Sequence, residues 1–347
     1  MNILKNTFGT APNGQEVSLY TLSNGQVTVK ITNYGCTITS IETPDQSGAQ
    51  SNIVCGFEKF EDYISEAYLG SYPYFGCILG RSANRIAKGK YAIDGVQYAG
   101  VVNNGPNHLH GGAEGFDRKV FSAETIEEAD VVGLKLQYTS ADGEEGYPGE
   151  LTLTCTYKLD AAGKLHIKYE AETTKKTIVN ISNHSYFNLT GGAEDILGHD
   201  LELTAKDFTE SVEAIPTGKI LSVKGTPFDF TSKKALGRDI APLADGYDLN
   251  FVLNNDKGDL VYAGCLSEPK SGRAVKVYTS QPGVQVYTGF WIPELEVDGV
   301  KKFGKYAGVA LETQHYPDSI NHDNFPSVLL NPGEKFEETT IYEFGLL

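Results

Sequence analysis

Two consecutive runs in the middle of the chain leave little freedom of fold. Leu151, Leu153, Cys155, Tyr157 and Leu159 put an apolar side chain at every second position, and so do Leu165, Ile167, Tyr169 and Ala171. Side chains of an extended strand point alternately to opposite faces, so a period of two describes strands with one face buried and one wet. Ala161-Ala162-Gly163 joins the two runs as a short turn. Leu134, Leu136 and Tyr138 extend the pattern upstream, beyond a turn at Asp142-Gly143. Such a meander is the habit of antiparallel sheets.

The same period recurs along the chain. Residues 27–31 and 36–41 alternate, with turn signals at Ser23-Asn24-Gly25 and Asn33-Tyr34-Gly35. Tyr91-Ala92-Ile93, Asp94-Gly95 and Val96-Gln97-Tyr98 read as a hairpin. Strands resume at 260–262, 274–278, 284–287, 307–311 and 339–344. Residues 58–66 form the one helical stretch early in the chain. Between 204 and 244 the pattern breaks, and Pro216, Gly218, Gly225 and Pro227 predict an irregular excursion with one helical turn at 232–236. The expected class is all-β, a large antiparallel β-sandwich forming a single domain over 1–347. A division into two sandwiches near Lys175 would need a linker, and no Pro/Gly/Ser-rich tract marks one there.

Composition narrows the partners. The formal net charge of −16 repels phosphate backbones, which argues against nucleic acid. No polybasic run favours an anionic membrane surface, and no apolar run approaches spanning length. Cys36, Cys55, Cys77, Cys155 and Cys265 are odd in number, widely spaced and free of any CxxC pair, which predicts neither a zinc ribbon nor a disulfide scaffold. The first residues lack the apolar core of a signal peptide, so a cytoplasmic location is expected.

One stretch breaks the alternation. Asn183-His184-Ser185-Tyr186-Phe187-Asn188-Leu189 follows a β-favouring run, yet polar groups fall on both of its faces. His184, Tyr186 and Asn188 would share one face. Buried polar groups need partners, so this stretch reads either as the floor of a ligand site or as a histidine bonded within the core. Residues 80–89 and 107–112 read as polar, glycine-bounded loops that could complete a site. His108-Leu109-His110 with Glu114 matches a metal-binding H-x-H-x3-E cupin pattern, but Gly111-Gly112 interrupts the strand it needs. Glu312 ends an apolar strand, as a solvated carboxylate or as a general base in a partly buried pocket. Asp248 is an Asx-turn residue or an acceptor for ligand hydroxyls. Arg85, beside Asn84, is a surface charge or a donor to ligand oxygens. Gln285 is a polar residue on the wet side of its strand or a ligand contact.

Together these pieces resemble the aldose 1-epimerase (galactose mutarotase) family. The matching segments are Gly80-Arg81-Ser82-Ala83-Asn84-Arg85-Ile86, Leu109-His110-Gly111-Gly112, residues 142–149, the 183–189 stretch, Gly246-Tyr247-Asp248, Gln281-Pro282-Gly283-Val284-Gln285 and Leu311-Glu312-Thr313-Gln314. The resemblance implies a β-sandwich of the galactose mutarotase type. It implies His184 as general acid, Glu312 as general base and His110 as a second active-site histidine. It further implies that Asn84, Arg85, Asp248 and Gln285 hold a hexose substrate, with no cofactor and no metal. Tyr186 or Trp291 could offer a ring face to the sugar. Leu249 and Phe290 depart from the family, standing where many members carry His and Asn, and bear on substrate preference. Three rival expectations stay open at this point: a hexose 6-phosphate epimerase, a non-catalytic carbohydrate-binding sandwich, and the metal cupin.

Overall fold

The structure, a computed structural model, describes residues 1–347 except 256–257 and 298–299. Of Lys301 it describes the backbone alone.

Three antiparallel sheets carry the fold. The first five strands, from Asn2–Thr10 to Gln50–Asn52, pair in sequence order. A nine-stranded sheet contains the meander Ser122–Glu128, Val131–Ser140, Leu151–Asp160 and Lys164–Thr173. It continues through the last strand, Phe336–Leu346, then Arg273–Thr279 and Val261–Ser267. The alternation that the sequence predicts is fully expressed: Leu151, Leu153, Cys155, Tyr157 and Leu159 are all buried, and the residues between them are half-buried. The third sheet has six strands, in the order Tyr186–Phe187, Val309–Gln314, Gly283–Tyr287, Asp248–Val252, Asp207–Val212 and Ile215–Ser222.

One face of the six-stranded sheet presents Phe187, Val309, Leu311, Val284, Val286, Leu249 and Phe251 to a core shared with Leu153, Tyr157 and Ile167 of the nine-stranded sheet. Between the layers Thr313 and Thr340 meet hydroxyl to hydroxyl at 2.6 Å, satisfying two groups that burial would otherwise strand. The fold is the expected large antiparallel β-sandwich. Two local expectations are corrected. The segment read as irregular holds a hairpin, Asp207–Val212 with Ile215–Ser222. The helical turn expected at 232–236 falls later: a short strand at Lys234–Ala235 precedes a 3-10 turn at Leu236–Arg238. The early helical stretch resolves into two short helices, Phe60–Tyr63 and Glu66–Gly70. No helix among the described residues is long and apolar enough to cross a membrane.

Candidate active site

Since one face of the six-stranded sheet is core, its alternate residues form the opposite face. Glu312 is paired with Gln285, and Gln285 with Asn250, so three polar side chains form a row across three strands. Asp248, opposite Tyr287, stands one step along. All of these except Asp248 and Tyr287 are fully buried, so Gln285 does not lie on a wet face. Tyr186 is opposite Ala310 at the sheet's edge.

His184 reaches this face by a broken strand. The chain pairs at Ser182–Asn183 with Ile78–Leu79 and again at Tyr186–Phe187 with Val309–Gln314. Between them the His184 amide donates to the Cys77 carbonyl, and the Gly76 amide donates to that of His184. Of the three residues expected on one face, His184 and Tyr186 do line the same cleft and Asn188 does not. The Asn188 side chain instead donates to the carbonyls of Glu194 and Ala307, at 2.8 and 2.9 Å, tying down neighbouring loops.

The third group comes from a loop. His110 takes a left-handed backbone, φ 53°, followed by Gly111 at 94° and Gly112 at 113°. Glycine is required at 111, where an added Cβ would lie 1.7 Å from the Gly80 carbonyl oxygen. The His110 amide donates to the Asn84 carbonyl, and the Asn84 amide donates to His110 Nδ1 at 3.1 Å. A ring nitrogen that accepts leaves the proton on the other, so His110 presents an Nε2–H donor. His108, the other half of the cupin pattern, turns elsewhere: its ring nitrogens meet the Val101 carbonyl and the Tyr147 hydroxyl. Glu114 is exposed, so the H-x-H-x3-E pattern does not assemble.

These elements converge on a cleft of about 330 Å³, lined by Asn84, Arg85, His110, His184, Tyr186, Asp248 and Glu312, with Tyr74, Asn104, Tyr287 and Trp291. His184 Nε2 lies 3.6 Å from Glu312 Oε1, and both side chains are buried. Thus an acid–base couple separated by more than a hundred residues in sequence meets in one place. Burial pushes the Glu312 carboxyl well above its ordinary range, and the nearby Asp248 carboxylate pushes it further, against the pull of Arg85. Burial holds His184 down to about 3. It also lowers His110, with His184 and Arg85 adding to the effect. At the far side of the cleft Gln285 Nε2 donates to Asp248 Oδ1 at 2.5 Å, and Arg85 approaches Asp248 Oδ2 at 3.9 Å while donating to Asn104. Gln285 opens with Asn84, Arg85, Asp248 and Asn250 onto a narrow adjoining recess.

Ligand atoms of His110, His184 and Glu312 lie within 4.8 Å of one another, a spacing that suits a metal. The chemistry of His110 does not suit it. Its inward nitrogen carries the proton, because the Asn84 amide occupies the other lone pair.

Tyr74, Tyr287 and Asn104 were not singled out in the sequence. Tyr287 ends an alternating strand and could have been found from its register with Asp248. Tyr74 and Asn104 lie in irregular segments that carry no periodic signal.

The same antiparallel sandwich recurs in solved structures of the galactose mutarotase type. The crystal structure of galactose 1-epimerase from Lactobacillus acidophilus is similar with a TM-score of 0.86 at 28% identity, covering 100% of this chain and 99% of that one. The aldose 1-epimerase family profile matches residues 18–343. Galactose mutarotase of Bos taurus is 40% identical over 100% of this chain and 99% of its own length. That of Homo sapiens is 39% identical over 99% of each. The chain belongs to the aldose 1-epimerase family.

Proposed function

We propose that this protein interconverts the α and β anomers of free hexoses such as galactose and glucose, with Glu312 and His184 as the proton-transfer pair. The observation that carries the reading is their 3.6 Å approach at the floor of a cleft. Ring opening needs a proton taken from the C1 hydroxyl and one given to the ring oxygen. Glu312 takes the first and His184 Nε2–H gives the second as the C1–O5 bond breaks. The aldehyde turns about C1–C2. On closure the O5 hydroxyl returns its proton to His184, Glu312 returns its own to the C1 oxygen, and the pair ends as it began.

The pair needs a single proton between its members, and their opposed shifts give it one. In the empty cleft burial favours the neutral couple. A net-neutral ion pair at this distance regains about 4 kcal/mol at an effective dielectric of 20. Sugar hydroxyls donating to Glu312 favour the carboxylate form further. The His110 Nε2–H donor steadies charge on the migrating oxygen. Asn84, Arg85, Asp248 and Gln285 hold the remaining hydroxyls while C1 rotates, and Tyr186 closes one wall.

A free hexose fits better than a hexose 6-phosphate. Among the described residues Arg85 is the one cationic side chain lining the cleft, and it is engaged by Asp248 and Asn104. We read 1–347 as one unit on the shared core, and the five unpaired cysteines accord with a reducing, cytoplasmic setting. The test is polarimetry on freshly dissolved α-D-galactose, α-D-glucose and glucose 6-phosphate. The expected result is accelerated decay of rotation with the free sugars, unchanged by chelator. No acceleration with either free sugar overturns the reading.

A further inference from the structure

Tyr74 is the strained residue of the cleft that the proton-transfer scheme leaves without a task. Its φ is 59°, a left-handed backbone that disfavours a side chain by about 1–2 kcal/mol. Strain of this kind persists where the surroundings over-determine it. Here the next residue's amide, that of Phe75, donates to the Tyr68 hydroxyl at 2.8 Å, and the Gly76 amide donates to the His184 carbonyl. The result places the Tyr74 ring against both site histidines. It lies stacked on His184, 22° between planes and 6.1 Å between centroids, and edge-on to His110 at 4.7 Å. Tyr186 packs against His184 at 4.7 Å, and Tyr72 backs Tyr74 at 4.3 Å. Tyr72 is itself fixed by donating to Asp117.

The His184 ring needs such a clamp. Among the described residues its Nδ1 has no hydrogen-bond partner, so apart from the 3.6 Å approach of Nε2 to Glu312 nothing polar fixes its rotation as the Asn84 amide fixes that of His110. We propose that Tyr74 is a positioning residue that holds the His184 and His110 rings by aromatic packing and keeps water from them, and that its backbone strain serves this placement. The inference rests on the proposed anomerase reading for its kinetic consequence, but not for its effect on the imidazoles. The other titratable groups around His184 are Glu312, His110, Tyr186 and Cys77, with Arg85 and Asp248 across the cleft.

Three variants test it: Tyr74→Leu, Tyr74→Phe and Tyr74→Asn. Tyr74→Leu removes the ring and is expected to lower kcat by roughly 10²-fold, with KM changed far less, since a misplaced catalytic group costs about that much. Rehydrated imidazoles return toward the ordinary value of 6.5, so a new acid limb appears in kcat/KM near that pH. Tyr74→Phe keeps the ring and should rescue both kcat and the profile. Asparagine tolerates the left-handed backbone, so Tyr74→Asn keeps the fold, seen as an unshifted thermal midpoint, while reproducing the leucine defect. NMR titration of the imidazoles in each variant reads the same shift without any sugar. Unmoved imidazole titrations in Tyr74→Leu overturn the proposal, as does a Phe variant as impaired as the Leu variant. If the wild-type protein accelerates no sugar, the functional reading fails and the titration still decides the role of Tyr74.

Discussion

At the scale of single residues, the site is a set of groups whose neutral forms burial favours. A solvated histidine would break the pH profile of kcat/KM near 6.5. His184, held down to about 3 while Glu312 is pushed up, leaves the pair with its one proton across the whole interval between them. The expected profile, measured by polarimetry, therefore carries no histidine limb near 6.5. A limb centred on 6.5 in the wild type would show that the pair is not buried as described. Glu312→Gln keeps the shape of the side chain and removes the base. It should lower kcat by roughly 10²–10⁴-fold. Galactose binding, followed by calorimetry, should persist through Asp248, Arg85 and Asn84. Sugar binding that survives the substitution, in a protein whose wild type shows no rate to lose, would favour the non-catalytic carbohydrate-binding reading. Most of these residues were legible in the sequence because the resemblance named them. The resemblance implied their roles too; read from the residues alone, Glu312 remained a solvated strand end or a base until its pairing with Gln285 placed it in a buried row.

At the scale of elements, legibility followed periodicity. The meander from Val131–Ser140 to Lys164–Thr173 was visible because each strand alternates for ten residues and ends at a recognisable turn. The Asp207–Val212 and Ile215–Ser222 hairpin was not, because Glu213 and Ala214 take positive φ, 50° and 61°, where Asn or Gly would have announced the turn. Pro216 and Gly218 also sit inside its second strand, at the sheet's edge, where a missing amide is tolerated. His184 sits in a broken strand, which no period of two can report. The glycines of the His110 loop carry a sharper expectation. Gly111→Ala places a Cβ 1.7 Å from the Gly80 oxygen in a left-handed backbone, so the loop must move and carry His110 with it. Both kcat and thermal midpoint should fall. Gly14, equally left-handed at 84° but with nothing within 4 Å of its added Cβ, is the control. Gly14→Ala should cost about 1 kcal/mol of stability and no activity.

At the scale of the whole molecule, the buried titratable groups set two opposed pH dependences. His184, held to about 3, and His199 and His315, each held to about 4, are depressed by burial. The unfolded chain takes up their protons first as pH falls below 6.5, so this contribution is present above that pH and is lost on acidification. Asp117, raised to about 6, and Glu338, raised to about 7, do the reverse. The native state holds their protons more tightly, so their contribution is present below about pH 4 and is lost as pH rises through 6 and 7. Between pH 4 and 6.5 the two sets work against each other, and the wild-type thermal midpoint should vary little there. The double variant Asp117→Asn, Glu338→Gln takes two carboxyls out of this balance while leaving the three histidines in place. Asp117 accepts from Tyr72 and Glu338 from Ser280, and an amide oxygen can accept in their stead. Above pH 7 the variant escapes the burial of two carboxylates and should melt at or above the wild-type midpoint. At pH 5 the wild type has lost only part of the carboxyls' contribution, so the variant's advantage is smaller there and grows by a few degrees between pH 5 and 7.5. Thermal scans at pH 5 and 7.5 decide the matter. A difference between variant and wild type that is the same at both would mean that these carboxyls titrate alike in the folded and unfolded chains.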